Sequence, residues 1–381
     1  MKVVIAIDSF KGSLSSLEAG NAIKKGILNV TDAQIIVKPL ADGGEGTTAA
    51  IIDGLGGEEI ELEVMGPLGK TVKAKYGYLQ HNNTAIIEMA EAAGIILLDE
   101  DNKNPSISTT YGVGELIKDA IKRGCRNFII GIGGSATNDG GVGMLSALGF
   151  EFLDKAGNPV GYGGISLKDI ETIRVENQIP ELKECFFQIA CDVTNPLCGP
   201  DGCTYIYGPQ KGVTEKLKPV LDDAMRHYSM ITTKFTGNDF SRESGAGAAG
   251  GLGFAFLSYL NSRLESGINV VLEATNLEES LENADYVITG EGRLDNQTAM
   301  GKAPVGVAKL AKKHGACVIA FAGSIAKGAS ECNHAGIDAY FPILTQVITL
   351  EEAMNKETAK ANLTQTAEQV FRLIYSIKQK S

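Results

Sequence analysis

Residues 131–143 read GIGGSATNDGGVG, six glycines interleaved with a serine, a threonine, an asparagine and an aspartate. Glycine lacks a Cβ, so successive backbone amides there can close on the oxygens of an anion. A helix starting just beyond adds partial positive charge, and phosphate is the natural ligand. Gly133 and Gly134 provide the close approach, and Ser135, Thr137 and Asn138 provide side-chain donors. The run is not a Walker A loop, which needs G-x-x-x-x-G-K-[ST]. The nearest match, GPLGKT at residues 66–71, is two residues short and reads as a hairpin turn carrying Lys70. Without its own lysine, the glycine loop needs positive charge from Mg²⁺ or from lysines and arginines elsewhere.

Acidic and basic residues gather after other apolar runs. Asp8 and Lys11 lie in DSFKGS, where Asp8 can accept from a hydroxyl and Lys11 can bind a carboxylate or phosphate. Asp42 lies in ADGGEG and repeats the D-G-G-x-G pattern of residues 139–143; Asp42 and Glu45 can hold a hydroxyl or a metal, or cap a helix. Asp192 ends FFQIACD and suits a general base or an Mg²⁺ ligand. Glu291, Arg293 and Asp295 leave a strand together in TGEGRLD, and the Arg293 guanidinium can fork onto a carboxylate or phosphate. GAGAAG at residues 245–250 matches G-x-G-x-x-G literally, but the polar TGNDFSRES before it is not the buried strand a dinucleotide site requires. The four histidines show no metal-ligand spacing.

These residues need elements to place them. VVIAI at 3–7 is a strand buried on both faces, SSLEAGNAIKKGI a helix with a Ser15/Glu18 capping box, and QIIVKPL at 34–40 a second strand. That β-loop-α-β start predicts a doubly wound parallel sheet whose ligands sit at the carboxyl ends of the strands. YVITGEG, CVIAFAGS and AYFPIL predict further strands, with TGEG opening a loop; Pro304 starts a helix that Gly315 closes, and the last segment is a long amphipathic helix. ELEVMGPLGKTVKAKYGYLQ predicts a hairpin, and TAIIEMA, NFIIGIG, FFQIACDV and CTYIYG predict strands in irregular order. The fold class expected is α/β: a Rossmann-like doubly wound parallel-sheet domain from residues 1–61 and 285–381, with a mixed α/β domain inserted at 62–284.

Composition narrows the function. A chain of 381 residues is too long for one ordinary core. Its net charge of −11 disfavours nonspecific nucleic-acid or anionic-membrane binding, so an anionic ligand must meet locally focused cations. No apolar run approaches the ~20 residues of a membrane span. Seven cysteines without a CxxC pair point to free thiols in a reducing compartment, and the expected location is cytoplasmic. Whether the chain is a monomer or a homo-oligomer is left open.

Taken in order, DSFKGSLSSLEA, PLADGGEGT, GPLG, IEMAEAAGI, TTYGVGELI, GIGGSATNDGGVGMLSALG, ACDVTNPLCGPDG, YGPQKG, GAGAAGGLGFAF and TGEGRLDNQTAMGKAP resemble the type I glycerate kinase family over residues 1 to about 375. The resemblance implies an ATP- and Mg²⁺-dependent kinase acting on D-glycerate, in bacterial members at the 2-hydroxyl to give 2-phosphoglycerate, with the active site in a cleft between two α/β domains. On that reading Gly133, Gly134, Ser135, Thr137 and Asn138 cradle ATP. Asp192 is the favoured base or metal ligand, with Glu291 and Asp295 as further metal-holding acids. Asp8, Lys11, Asp42 and Arg293 bind or orient glycerate, Lys11 and Asp42 also counting as catalytic candidates. The competing readings are a 3-phosphoglycerate-forming kinase, an NAD-dependent dehydrogenase using GAGAAG, and a small-anion-binding protein without turnover.

Overall fold

The computed structural model describes residues 1–41 and 46–379. The expectations at Asp42 and Glu45 fall outside them. Strands are labelled in chain order: β1 (Lys2–Ile7), β2 (Gln34–Pro39), β3 (Glu58–Met65), β4 (Thr71–Leu79), β5 (Thr84–Glu88), β6 (Asn127–Gly131), β7 (Glu151–Leu153), β8 (Thr172–Arg174), β9 (Phe186–Ala190), β10 (Ser262–Glu265), β11 (Tyr286–Leu294), β12 (Cys317–Ile325) and β13 (Ala339–Pro342). The chain divides into two compact units. One comprises Met1–Asp42, Ala49–Gly56 and Val271–Ser381; the other comprises Gly43–Thr48 and Gly57–Val270.

The first unit is built on a parallel five-stranded sheet in the order β13-β12-β11-β1-β2. Val3 to Ile7 are fully buried, as a continuous β-branched run in a parallel sheet requires. The helix Ser16–Leu28 crosses from β1 to β2. Its capping box is present: Glu18 N donates to Ser15 Oγ at 3.2 Å, and Ser15 N donates to Glu18 Oε2 at 3.0 Å. Ser16 Oγ donates to Ile7 O at 2.7 Å and accepts from Leu40 N at 2.9 Å, tying the carboxyl ends of both strands to the helix start. The long C-terminal helix, Lys356–Lys378, packs on this helix. A Cβ on Gly26 would lie 2.2 Å from Thr364 O, so only glycine permits that approach. Pro304 lies in the first turn of the helix Ala303–Lys313, and Gly315 follows it at φ +73°. One expectation fails in detail. The TGEG loop is not a loop, because β11 continues through Glu291 and Arg293 to Leu294, paired with β12 along that length.

The second unit carries a mixed six-stranded sheet, β10-β9-β6-β5-β4-β3. β3 and β4 form the expected hairpin around GPLG, with Gly66 N bonded to Lys70 O and Gly69 at φ +78°. β5, β6, β9 and β10 are parallel. Ile87, Phe128, Ile130, Phe187 and Ile189 meet Leu116, Leu145 and Phe254 in its core, and the Phe128 and Phe187 rings stack at 4.7 Å. CTYIYG is the clear miss: it forms the helix Cys203–Tyr207 rather than a strand. A five-residue apolar run has no readable period, and burial of Cys203 and Thr204 selected one helical turn.

Candidate functional site

In the second unit β5, β6 and β9 end in register, Glu88 beside Gly131 and Gly131 beside Ala190. The segments that follow therefore leave one sheet edge side by side, the edge where parallel strands present ligands. From β6 comes the glycine loop. Ala136 N donates to Ala93 O at 2.9 Å, and Ile95 N donates to Gly134 O at 2.8 Å, which fix the loop to the neighbouring segment. Gly134 has φ +72°. Gly133 and Gly134 are exposed, and a Cβ on Gly133 would meet nothing within 4 Å. The amides of Gly133, Gly134 and Ser135 find no backbone acceptor among the described residues. This tip is an open set of successive donors, suited to the oxygens of an anion.

Beneath the tip the loop is sealed. Thr137 and Asn138 are fully buried, and Asn138 Nδ2 donates to Thr204 Oγ1 at 3.0 Å. Both side chains lie in the protein interior, where Thr137 Oγ1 and Asn138 Oδ1 have no hydrogen-bond partner among the described residues. Asp139 is also buried. It accepts from Thr110 N and Thr110 Oγ1, each at 2.8 Å, from Gly141 N at 3.2 Å and from Gly143 N at 3.3 Å. Burial pushes its carboxyl up from the ordinary value, against the pull of those hydrogen bonds.

Lys211 is the residue the sequence reading missed. It is 2% exposed, and its ammonium donates to Ser135 Oγ at 2.6 Å and to Thr137 O at 2.7 Å. Burial pulls its pKa down to about 8, opposed by the nearby Cys203 and Asp139. The turn Pro209–Lys211 delivers it, closed by Gly212 at φ +98°. The loop has no lysine of its own, and nothing local in YGPQKG singles out Lys211, among 35 lysines and arginines, as the one that packs against it.

GAGAAG serves packing. Ala249, Gly250 and Gly251 all take left-handed conformations at the start of the helix Ala248–Tyr259, and Gly250 O accepts from Gly140 N at 3.0 Å. A Cβ on Gly250 would lie 2.1 Å from Thr137 O, and one on Gly247 would lie 2.2 Å from Pro196 O. The segment is thus wedged between the glycine loop and the turn after β9. That turn presents Asp192, exposed, with Oδ1 accepting from Gly267 N at 2.9 Å at the start of the helix Gly267–Ala274. After β5, Glu88 accepts from Gly46 N at 3.3 Å and from Thr48 N at 2.9 Å. It takes up donors at the start of the helix Thr47–Leu55 that an anion would otherwise use, a second residue not anticipated.

The first unit gathers the other candidates at the carboxyl ends of β1 and β11. Asp8 N donates to Gly290 O, and Asp8 Oδ1 accepts from Ser9 N at 2.6 Å. Lys11 is exposed in the loop closed by Phe10 and Leu14, and its backbone passes 3.7 Å from a Cβ built on Gly292. Glu291 accepts from Thr298 Oγ1 at 2.5 Å. Asp295 caps the next helix, accepting from Gln297 N at 2.8 Å and Thr298 N at 3.3 Å. Arg293 is exposed and stands 3.8 Å from Asp295, so its guanidinium is loosely held. Asp8, Lys11, Glu291, Arg293 and Asp295 thus share one sheet edge, and Gly133, Gly134, Ser135 and Asp192 share another. Among the described residues no three acidic, histidine or cysteine side chains form a metal-holding cluster. Mg²⁺ bound to a nucleotide needs no such cluster, since it takes one or two carboxylates together with phosphate and water.

A family model described as the glycerate kinase family matches residues 3–375. The chain is 48% identical over 354 residues to a glycerate kinase of Bacillus subtilis (strain 168), covering 93% of each. It is 47% identical over 354 residues to a glycerate 2-kinase of Escherichia coli (strain K12), again 93% of each. A crystal structure assigned to glycerate kinase 2 of Salmonella typhimurium LT2 superposes with a TM-score of 0.92 at 42% identity, covering 100% of this chain and 99% of that one.

Proposed function

This chain belongs to the glycerate kinase family, and we propose that it transfers the γ-phosphoryl group of ATP to the 2-hydroxyl of D-glycerate, giving 2-phosphoglycerate and ADP. The observation that carries this reading is the family match along nearly the whole chain, together with a relative named for the 2-position. The open-tipped glycine loop backed by a buried lysine supports it chemically. Phosphoryl transfer asks for positioning and charge neutralisation, and little covalent chemistry.

ATP arrives as its magnesium complex, so the metal enters with the substrate. The amides of Gly133, Gly134 and Ser135 hold phosphate oxygens. Lys11 and Arg293 bind the glycerate carboxylate, and Asp8 and Asp42 orient its hydroxyls. Asp192 takes the proton of the 2-hydroxyl. The freed oxygen attacks the γ-phosphorus, and the bond to the β–γ bridging oxygen breaks as ADP leaves. Glu291 and Asp295 remain the acids for the metal. The seven free thiols support a reducing, cytoplasmic setting. Among the described residues no helix is long and apolar enough to cross a membrane.

The test is to incubate the purified protein with ATP, Mg²⁺ and D-glycerate, following ADP release and the ³¹P spectrum of the product. Glycerate-dependent ADP and a 2-phosphoglycerate signal are expected. ADP release no higher than without glycerate would refute the kinase reading, and a 3-phosphoglycerate signal would move the acceptor to the other hydroxyl.

A further inference from the structure

We infer that Lys211 is a positioning residue of the phosphate loop: its ammonium holds Ser135 Oγ as an acceptor and so turns the serine hydroxyl proton outward, toward an anionic oxygen of the nucleotide at the open tip. The inference rests on the reading of residues 131–141 as the nucleotide-phosphate loop.

Three observations carry it. An ammonium has donors only, so at 2.6 Å Ser135 Oγ accepts from Lys211, and the hydroxyl proton must go elsewhere. Ser135 keeps 7% exposure at a tip where its own amide and those of Gly133 and Gly134 find no backbone acceptor among the described residues, so an anion there meets the hydroxyl and the amides together. The second bond of Lys211 goes to Thr137 O at 2.7 Å, which anchors the charge to the same loop two residues on. Neither bond goes to Asp139, which is satisfied by Thr110, Gly141 and Gly143. Burying an ammonium is costly, and here both of its bonds organise one loop. In a site screened from water, that charge also acts on the anion without touching it. Lys211 thus supplies what a Walker lysine supplies from within its own loop, but from a distant segment and from behind.

The test compares the wild type with Lys211→Met, Lys211→Arg, Ser135→Ala and the Lys211→Met/Ser135→Ala double variant. MgATP binding is measured by calorimetry without glycerate, alongside the KM values for ATP and D-glycerate. Lys211→Met and Ser135→Ala should each weaken MgATP binding by about 10- to 100-fold, the worth of one hydrogen bond to a charged group. The double variant should be no weaker than the weaker single one, and KM for D-glycerate should not change. Wild-type affinity should fall as pH passes about 8, with Cys203 and Asp139 as the titratable neighbours, whereas Lys211→Arg should retain affinity there. Wild-type affinity in Lys211→Met, a double-variant loss equal to the product of the single losses, or a loss confined to glycerate KM would each overturn the inference. If Lys211→Met does not unfold cooperatively, Ser135→Ala and the pH series with Lys211→Arg decide it: wild-type MgATP affinity in Ser135→Ala overturns it. A wild type that binds MgATP yet does not phosphorylate D-glycerate would end the functional reading while these binding comparisons still decide this one.

Discussion

Asp192 holds one carboxylate oxygen on the amide of Gly267, so a cap and a catalytic acid are competing accounts of one side chain. Asparagine separates them, because it keeps an oxygen for that amide but cannot take a proton. Asp192→Asn should lower kcat by at least ~10² if Asp192 is the base. The melting temperature should stay nearly unchanged, because asparagine is as good a cap as aspartate. Steady-state kinetics and calorimetry check both, and unchanged kcat removes Asp192 from the base role. Lys211 makes a pH prediction of its own. Its folded pKa is depressed, from the ordinary 10.5 to about 8, so below pH 8 both states carry the charge and folding bears the full cost of burying it. Between about pH 8 and 10.5 the unfolded state holds the extra proton, and stability from this group rises, by at most about 3 kcal/mol. The difference in unfolding free energy between wild type and Lys211→Met should therefore grow in favour of the wild type over that window. Cys125 and Cys185, pushed up to about 11 by burial, act in the opposite sense above pH 9 and are common to both proteins.

Among the elements, the glycine runs look alike in sequence and do different work. Gly250, at φ +69°, fills a space that a Cβ would contest with Thr137 O at 2.1 Å, whereas a Cβ on Gly133 would meet nothing within 4 Å. Gly250→Ala should destabilise by about 3 kcal/mol or more, the left-handed conformation adding to overpacking. Gly133→Ala should change stability by less than ~0.5 kcal/mol, as a surface substitution does. It should instead raise KM for ATP by about tenfold if the amides there hold phosphate, because alanine keeps the N–H but its methyl projects into the open tip and holds the phosphate off by about the worth of one hydrogen bond to a charged group. Chemical denaturation and initial-rate kinetics on the two variants distinguish packing glycine from binding glycine. No count of glycines in the sequence makes that distinction, because it depends on what stands opposite each one.

For the whole molecule, the two units differ in how the chain builds them. The core of the second unit is drawn from within residues 64–256, and its main stretch, 57–270, is continuous. The core of the first joins residues 3–33 to 288–371. In that sheet β1 lies between β11 and β2, so residues 1–56 alone leave its β11 side unpaired. A fragment of residues 57–270 should unfold cooperatively in denaturant, and a fragment of residues 1–56 should show no such transition. Circular dichroism of both checks this, and a noncooperative 57–270 fragment would mean that its core depends on the rest of the chain.

Local rules were enough to read β1, the Ser15/Glu18 capping box, the GPLG hairpin, Pro304 at its helix start and a glycine-rich turn after β6, because each is set by neighbours a few residues apart. The helix at Cys203–Tyr207, the strand extension through Arg293 and the packing duty of Gly250 were settled by partners far along the chain. So were the buried side chains of Thr137 and Asn138, and above all Lys211, which reaches Ser135 across 76 positions of sequence. A motif can say that a loop lacks a lysine of its own; only close packing, which brings distant segments within hydrogen-bond reach and excludes water around them, decides which lysine comes to lie against it.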